Sequence, residues 1–519
     1  MPGILSCLKE VLGPDPSPTP IQALSLKWLL NDAANAKSDD WKQFLLASET
    51  GSGKSFAYLL PVLQNLKLSE PDPASTSHPY QPQRPLNPRA LILAPTHELS
   101  RQLSSFAKSL LHKVKLRVLC ASRANVKTTK ERDATARQGK QSGEFEIKER
   151  SGFPVDVVVG TPMKLLEMVK GRGWDRKEHN EENLAENSDE GLGLKLRRGR
   201  DKMVGFGKWR NKPEMGLANV EWVVVDEADV LFDSDFQETT RQLLADISAA
   251  RGQPIPLTPA PSLSQPSNTT TASTSISYSY PFNFILTSAT IPASLAAYLD
   301  AHHPKLMRLA SPRLHRLPKT LRTEYVSWSG GNKLADIEHR IRHVWAEDSS
   351  KLNTNGNAHH LSKVLIFCNK STKVEELGAY LDEQDIKNIA LSSTSQHRKR
   401  GSNHHLDGFL RVRDKNSKDN SSVKTEPTTS DVVVASDPKT EPHVLITTSL
   451  LSRGLDFSPS IHHVFIVDEP RNMIDFLHRA GRTGRAGERG KVVVFGKMKG
   501  RGSSSSKDVR KKVGSLVAH

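Results

Sequence analysis

FLLASETGSGKSFAYLLPVL, residues 44–63, runs from an unbroken apolar tetrad through SETGSGKS (48–55) into an amphipathic segment, and that passage decides the fold. A run such as FLLAS (44–48) that does not alternate polar and apolar fits a parallel strand buried on both faces. The segment 54–66 reads as the helix that crosses back over the sheet. Outward from this unit the same pattern recurs. ALILAP (90–95), LRVLCA (116–121), VDVVVG (155–160), WVVVD (222–226) and FNFILTS (282–288) form one series. VLIFC (364–368), NIALSS (388–393), HVLITTS (443–449), HHVFIVD (462–468) and KVVVFG (491–496) form a second. Amphipathic stretches at 97–112, 162–170 and 371–382 supply further crossovers. The chain therefore reads as α/β, with two doubly wound parallel sheets in tandem.

Between these units lie long stretches without apolar periodicity: 67–88, 122–152, 171–216, 252–280, 348–360 and 397–442. Connections of this length are disordered or functional, and all six are expected to be disordered insertions. The reading places an N-terminal flank at 1–16, a first domain at 17–309 and a Pro-punctuated basic linker at 310–322. A second domain follows at 323–500, then a disordered basic tail at 501–519. With 519 residues and a hydrophobic share of 36%, the chain has enough for two cores diluted by such segments. Its 73 Lys and Arg against 57 Asp and Glu give +16, which favours a polyanionic partner. Three cysteines without CxxC spacing point away from disulfides and structural zinc. No apolar run reaches membrane-span length, so no membrane is expected. His112, His302, His303 and His462 follow no metal-ligand spacing.

A glycine-rich loop between a strand and a helix turns backbone N–H groups inward around phosphate. In Thr50-Gly51-Ser52-Gly53-Lys54-Ser55, Lys54 is placed to reach the β- and γ-oxygens and Ser55 to ligate Mg²⁺. Asp226-Glu227-Ala228-Asp229 ends a second apolar strand. A carboxylate at a strand tip beside a phosphate loop can hold Mg²⁺, and its neighbour can orient and deprotonate the attacking water. These roles fall to Asp226 and Glu227, with ATP and Mg²⁺ as the implied ligands. His478-Arg479-Ala480-Gly481-Arg482-Thr483-Gly484-Arg485 sets three arginines among glycines, a source of guanidinium for the γ-phosphate if a second domain delivers it.

Together the motifs PTPIQ (18–22), SETGSGKS (48–55), PTHELSRQ (95–102), GTPMKLL (160–166), DEAD (226–229), SAT (288–290), LIFCN (365–369), TTSLLSRGLD (447–456) and HRAGRTGR (478–485) resemble the DEAD-box RNA helicases across nearly all of 17–496. The resemblance implies two RecA-like domains with one ATP site between them. It implies that Gln22 reads adenine, that Thr50, Gly51, Ser52, Gly53, Lys54 and Ser55 hold phosphate and metal, and that Asp456 meets the ribose. Arg482 and Arg485 are the implied arginine fingers. Ser288, Thr290, Asp229 and His478 couple the site to domain closure. Pro95, Thr96, Glu98, Thr161, Pro162, Thr448 and Arg453 are implied to hold the RNA backbone, largely without regard to sequence.

Departures cluster on the RNA side. His97 stands for Arg, Met163-Lys164 for Gly-Arg and Ser449 for Asp. No Gly-Gly occurs in 121–152, and Leu5 falls where the family has an adenine-stacking aromatic. Hydrolysis is therefore expected intact and unwinding reduced or specialised. The ETGSGK form of the loop and the large basic insertions resemble the fungal mitochondrial members, which implies ribosomal RNA and pre-ribosomal particle proteins as partners of a monomer. Residues 1–16 show no transit-peptide chemistry, which either speaks against the mitochondrial resemblance or implies a start downstream of the natural N-terminus. A nuclear or nucleolar helicase in rRNA processing and an ATP-gated RNA clamp are the alternatives. The stretch 195–212, with Phe206 and Trp209 among basic residues, fits RNA contact and plain loop equally. VKTE at 423–426 fits a linker better than a lysine-modification site.

Overall fold

The computed structural model describes residues 1–31, 41–70, 86–122, 154–171, 174, 213–256, 277–312, 314, 316–318, 320–352, 361–392, 403–411, 441–484, 488–496 and 511. Arg485, the basic-aromatic stretch 195–212 and the VKTE stretch 423–426 lie outside the described residues, as does all of the tail except residue 511.

Seven strands form the first sheet: β1 (Gln43–Ala47), β2 (Ala90–Leu93), β3 (Val118–Ala121), β4 (Val157–Gly160), β5 (Trp222–Val225), β6 (Asn283–Ser288) and β7 (Met307–Ala310). Their spatial order is β3-β4-β2-β5-β6-β1-β7. The second sheet holds β8 (Leu321–Ser327), β9 (Lys363–Cys368), β10 (Asn388–Leu391), β11 (Val444–Thr448), β12 (Ile461–Ile466) and β13 (Gly490–Gly496) in the order β10-β11-β9-β12-β13-β8. Every pairing between these strands is parallel.

Alternate residues of each strand enter separate cores, which is why the strands read as continuous apolar runs. In β2, Ala90 and Ile92 join one core while Leu91 and Leu93 join the other. In β9, Val364, Ile366 and Cys368 pack on one face and Leu365 and Phe367 on the opposite face. Parallel pairing requires crossovers, and local chemistry sets their ends. α1 (Pro2–Leu12) and α2 (Pro20–Asn31) precede β1, and α3 (Lys54–Leu68) follows it. α4 (His97–Ser109) starts where the Thr96 hydroxyl accepts from Leu99 N at 3.3 Å, a side-chain N-cap. α5 (Pro162–Lys170) opens on proline and stops at Gly171.

β7 and β8, each at one edge of its sheet, are additions to the eleven apolar runs. Their residues are mostly exposed or half-buried, and MRLA and LRTEYVS break the apolar signature with charged or polar residues. β8 starts inside the stretch read as linker, 310–322, and that mixed composition is the reason the sequence hid it. The insertions are likewise folded at their margins. Leu86 pairs with Met215 in an isolated bridge, Tyr278 and Tyr280 are buried against His303, and residues 348–352 end the helix Lys333–Leu352.

Two histidines lie deep in these packed layers. Burial pushes His303 down to about 3 and His463 down to about 4. An unfolded imidazole takes its proton near pH 6.5, so each contributes stability that is complete above that value and is lost as pH falls. At pH 5.5 the loss is about 1.4 kcal/mol per histidine, partly offset by carboxylates whose values burial raises. His303→Phe keeps a ring against Tyr280 and Phe284 and is expected to melt with a weaker dependence on pH between 8 and 5.5. An unchanged slope in that variant would show that His303 is not held neutral.

Candidate functional site

The order of the first sheet sets the C-terminal ends of β1, β6 and β5 side by side, and ligands of open α/β sheets bind at such ends. From β1 the chain enters the phosphate loop. Gly51 and Gly53 take φ of 79° and 82°, a region open to glycine and strained for other residues. A Cβ on Gly53 would strike the Gln22 amide, because that amide donates to Gly53 O at 3.1 Å and accepts from Thr19 N at 3.0 Å. Thr19 Oγ1 adds a bond to Ser52 O at 2.8 Å. The PTPIQ segment therefore braces the loop from behind. An amide has two donors and two lone pairs, so Gln22 keeps one of each beyond these two bonds. Lys54 is buried and donates to Ser48 O at 2.8 Å and Glu49 O at 3.0 Å. Burial lowers its affinity for a proton, and Glu227 and Asp226 oppose that effect.

From β5 the chain delivers Asp226 and Glu227, 4% and 5% exposed. Glu227 has φ 54°, one of two described non-glycine residues with positive φ. Backbone strain of this kind persists where surrounding structure enforces it and is frequent at functional sites. Both carboxyls are pushed upward, first by burial; Lys54 opposes the shift in each, Thr287 only in Asp226 and Arg482 only in Glu227. Asp226 is gripped on both oxygens: Thr287 Oγ1 and the Glu227 N–H donate to Oδ1, and Tyr58 OH donates to Oδ2 at 3.2 Å. Burial, followed by the Asp226 carboxylate, raises Tyr58 well above the usual phenol value.

Asp229 is where the two halves meet. Ser288 Oγ and Thr290 Oγ1, at the end of β6, each donate to it at 3.0 Å. Arg453, from the second half, pairs with the same carboxylate at 2.9 Å. His478 Nε2 lies 3.3 Å from Thr290 Oγ1 and 3.6 Å from Asp229 Oδ2. Burial opposes ionisation of Asp229, but His478, then Arg453 and the two hydroxyls, together outweigh it and hold its value down. His478 is driven to about 3 by burial and by Arg453, so it is neutral at physiological pH.

Beside this node Thr50 Oγ1 donates to Gly481 O at 3.1 Å, and the approach leaves no room for a Cβ on Gly481. Arg482 is 3% exposed, held by His478 O at 3.1 Å and Leu455 O at 3.2 Å. Its charge acts on both Lys54 and Glu227. Arg479 is built differently. It pairs with Asp475 at 2.6 Å and bonds Asn369, Ser449 and Asp468 O, all within the second half. Ser449, read as a departure from Asp, shares this network by donating to Asp475 at 2.7 Å.

Further across the junction, Gln102 donates to Gly454 O at 3.0 Å and accepts from Asp456 N at 2.7 Å. Asn403 donates to Glu98 O at 3.0 Å and accepts from Arg101 at 3.2 Å. Neither Gln102 nor Asn403 was singled out from sequence. Gln102 stands inside a quoted motif and could have been; Asn403 lies in an expected insertion and carries no local signal.

Comparison with known proteins identifies the arrangement. A model of the DEAD/DEAH box helicases matches residues 19–188, and one of the helicase conserved C-terminal domain matches 348–487. A protein of Cryptococcus neoformans named as the mitochondrial ATP-dependent RNA helicase MRH4 is 34% identical over 95% of this chain and 81% of its own length. The chain belongs to the DEAD-box family of ATP-dependent RNA helicases. A second strain's MRH4 is 34% identical but is covered over 64% of its length, and the Phaeosphaeria nodorum protein of that name is 28% identical and covered over 65%. Solved structures agree on the fold. Yeast Dbp5 bound to RNA and ADP BeF3 gives a TM-score of 0.57 at 16% identity, covering 100% of this chain and 91% of that one. Mss116p bound to ssRNA and AMP-PNP gives 0.56 at 17% identity, with 100% and 80% covered. The two sheets are thus tandem RecA-like domains.

Within the helicase, the residues assigned to RNA divide by placement. Thr161, Thr448 and Arg453 are partly exposed, whereas Pro95, Thr96 and Pro162 are buried. Glu98, 1% exposed, lies 3.8 Å from Arg101 of its own helix. Arg453 is engaged by Asp229 rather than left open to a ligand. Leu5, at the position of the stacking aromatic, is 53% exposed on α1. Arg453→Ala would leave the Asp229 charge buried without its cation, a loss of about 3–5 kcal/mol. The expected result is RNA affinity at least a hundredfold weaker with a non-hydrolysable ATP analogue and unaltered without nucleotide. Equal weakening in both conditions would assign Arg453 to RNA instead.

Proposed function

We propose that this helicase closes its two RecA-like domains over ATP and single-stranded RNA, using hydrolysis to reopen them, and that it acts in mitochondria on the large ribosomal subunit during assembly. The carrying observation is the Asp229 node. The carboxylate of the DEAD segment is held at once by Ser288 and Thr290 of the first domain and Arg453 of the second. Closure and the hydrolytic carboxylates are therefore one structural unit. In the closed arrangement Lys54 holds phosphate, Glu227 takes the proton of the attacking water and Arg482 meets charge developing on the γ-phosphoryl group. Ser55 and Asp226 fit Mg²⁺, since both are hard oxygen donors and Tyr58, on the helix that carries Ser55, donates to the Asp226 carboxylate. When bound, the ion would neutralise charge on the phosphate oxygens. The mitochondrial role rests on the names of the fungal relatives.

Two contacts favour a second reading, a long-lived RNA clamp. Gln102 and Asn403 tie the domains together away from the phosphate loop and so add to the stability of the closed form. Strand displacement on a short duplex tests the first reading: ATP should release the shorter strand. ATP-dependent retention of RNA without release would establish the clamp. Crosslinking in cells should recover mitochondrial ribosomal RNA, and recovery of nuclear precursors would overturn the assignment to mitochondria.

A further inference from the structure

Tyr58 belongs to none of the motifs that define the site, yet it is bonded to one group that does and shares a helix face with another. It stands three residues after Ser55 on α3, which puts both side chains on one face of the helix. Its ring is fully buried in the core that also holds Phe56, Leu59 and Val62. Its hydroxyl donates to Asp226 Oδ2 at 3.2 Å, from the same helix face that carries Ser55 one turn earlier. The opposite oxygen of Asp226 is held by Thr287. A carboxylate bonded on one oxygen alone can swing about its Cβ–Cγ bond; one bonded on both cannot.

We propose that Tyr58 is a positioning residue that aligns Ser55 with Asp226 for the magnesium ion of the nucleotide. The proposal rests on the assignment of Mg²⁺ to those two residues. The phenol hydroxyl reaches from the helix that supplies one donor to the strand end that supplies the other, and it fixes Asp226 before the ion arrives. Hydrogen-bonding partners of metal donors typically raise metal affinity by about 10–100-fold.

Tyr58→Phe removes the hydroxyl and keeps the ring in the core. In the full chain, binding of a fluorescent ADP analogue is titrated with Mg²⁺, and separately in EDTA. The expected result is a Mg²⁺ midpoint raised about tenfold, with binding in EDTA and the melting temperature unaltered, and with full binding restored by excess Mg²⁺. A role confined to packing would lower melting and EDTA binding and would not be rescued by the ion; that outcome overturns the proposal. Ser55→Ala and Asp226→Asn are the controls. If they raise the midpoint and Tyr58→Phe does not, Tyr58 has no positioning role although the metal assignment stands. If none of the three raises it, the metal assignment itself falls. Should Tyr58→Phe fold poorly, Thr287→Val carries the test from the other oxygen: an unchanged midpoint there overturns the idea that clamping Asp226 on both sides matters.

Discussion

Replacing Glu227 with Gln is expected to reduce RNA-stimulated ATP turnover by at least about a hundredfold, with nucleotide and RNA binding retained. The substitution keeps shape and hydrogen-bonding capacity and removes the base. Glu227 suits that role because its surroundings pull in opposite directions. Burial, then Asp229, raises its value, while Lys54 and Arg482 favour the charged form. The net shift is upward, so the carboxylate is a stronger base than an exposed glutamate. It also fixes the sign of the pH dependence. Turnover should fall on the acid side with a midpoint above the ordinary value of 4.5, since protonation removes the base. A variant that hydrolyses ATP at the wild-type rate would show that the base lies elsewhere.

Arg482→Ala should cost about a thousandfold or more in turnover, the range lost when an arginine finger is removed. Arg479→Ala, three positions away, should behave otherwise. Arg479 is spent on Asp475, Asn369 and Ser449 inside the second domain, and removing it strands a buried carboxylate at a cost of about 3–5 kcal/mol. The first variant is expected to melt like the wild type and fail in hydrolysis; the second is expected to melt early. If both lose stability equally and neither shows a specific defect in turnover, the division of labour proposed for the motif is wrong.

The two arginines show where reading the sequence stops. HRAGRTGR sets three guanidiniums among glycines, and only the family resemblance singled out Arg482 and Arg485 from Arg479. Their difference comes from what surrounds them. Asp475 is one helical turn before Arg479 and captures it, whereas Arg482 lies beyond the helix Met473–Ala480 and faces the phosphate loop. Arg453 repeats the lesson across a longer distance, since its partner Asp229 is 224 residues away. Tyr58 and Asn403 are further cases, joined to Asp226 and Glu98 by the fold alone.

Eleven of the thirteen strands were legible because they write themselves as apolar runs, nine of them central strands that bury both faces and two, β3 and β10, edge strands that keep the apolar composition; β7 and β8, also at edges, carry charged and polar residues instead. The phosphate loop and the DEAD carboxylates were legible for a related reason: backbone geometry and metal chemistry demand particular residues at fixed local spacing. Which guanidinium lends its charge to Glu227, which one neutralises Asp229, and which hydroxyls clamp Asp226 depend on strand order and on the closing of one domain upon the other. The bonds among these join residues 61, 168 and 224 positions apart, and no local pattern records a pairing made only in three dimensions.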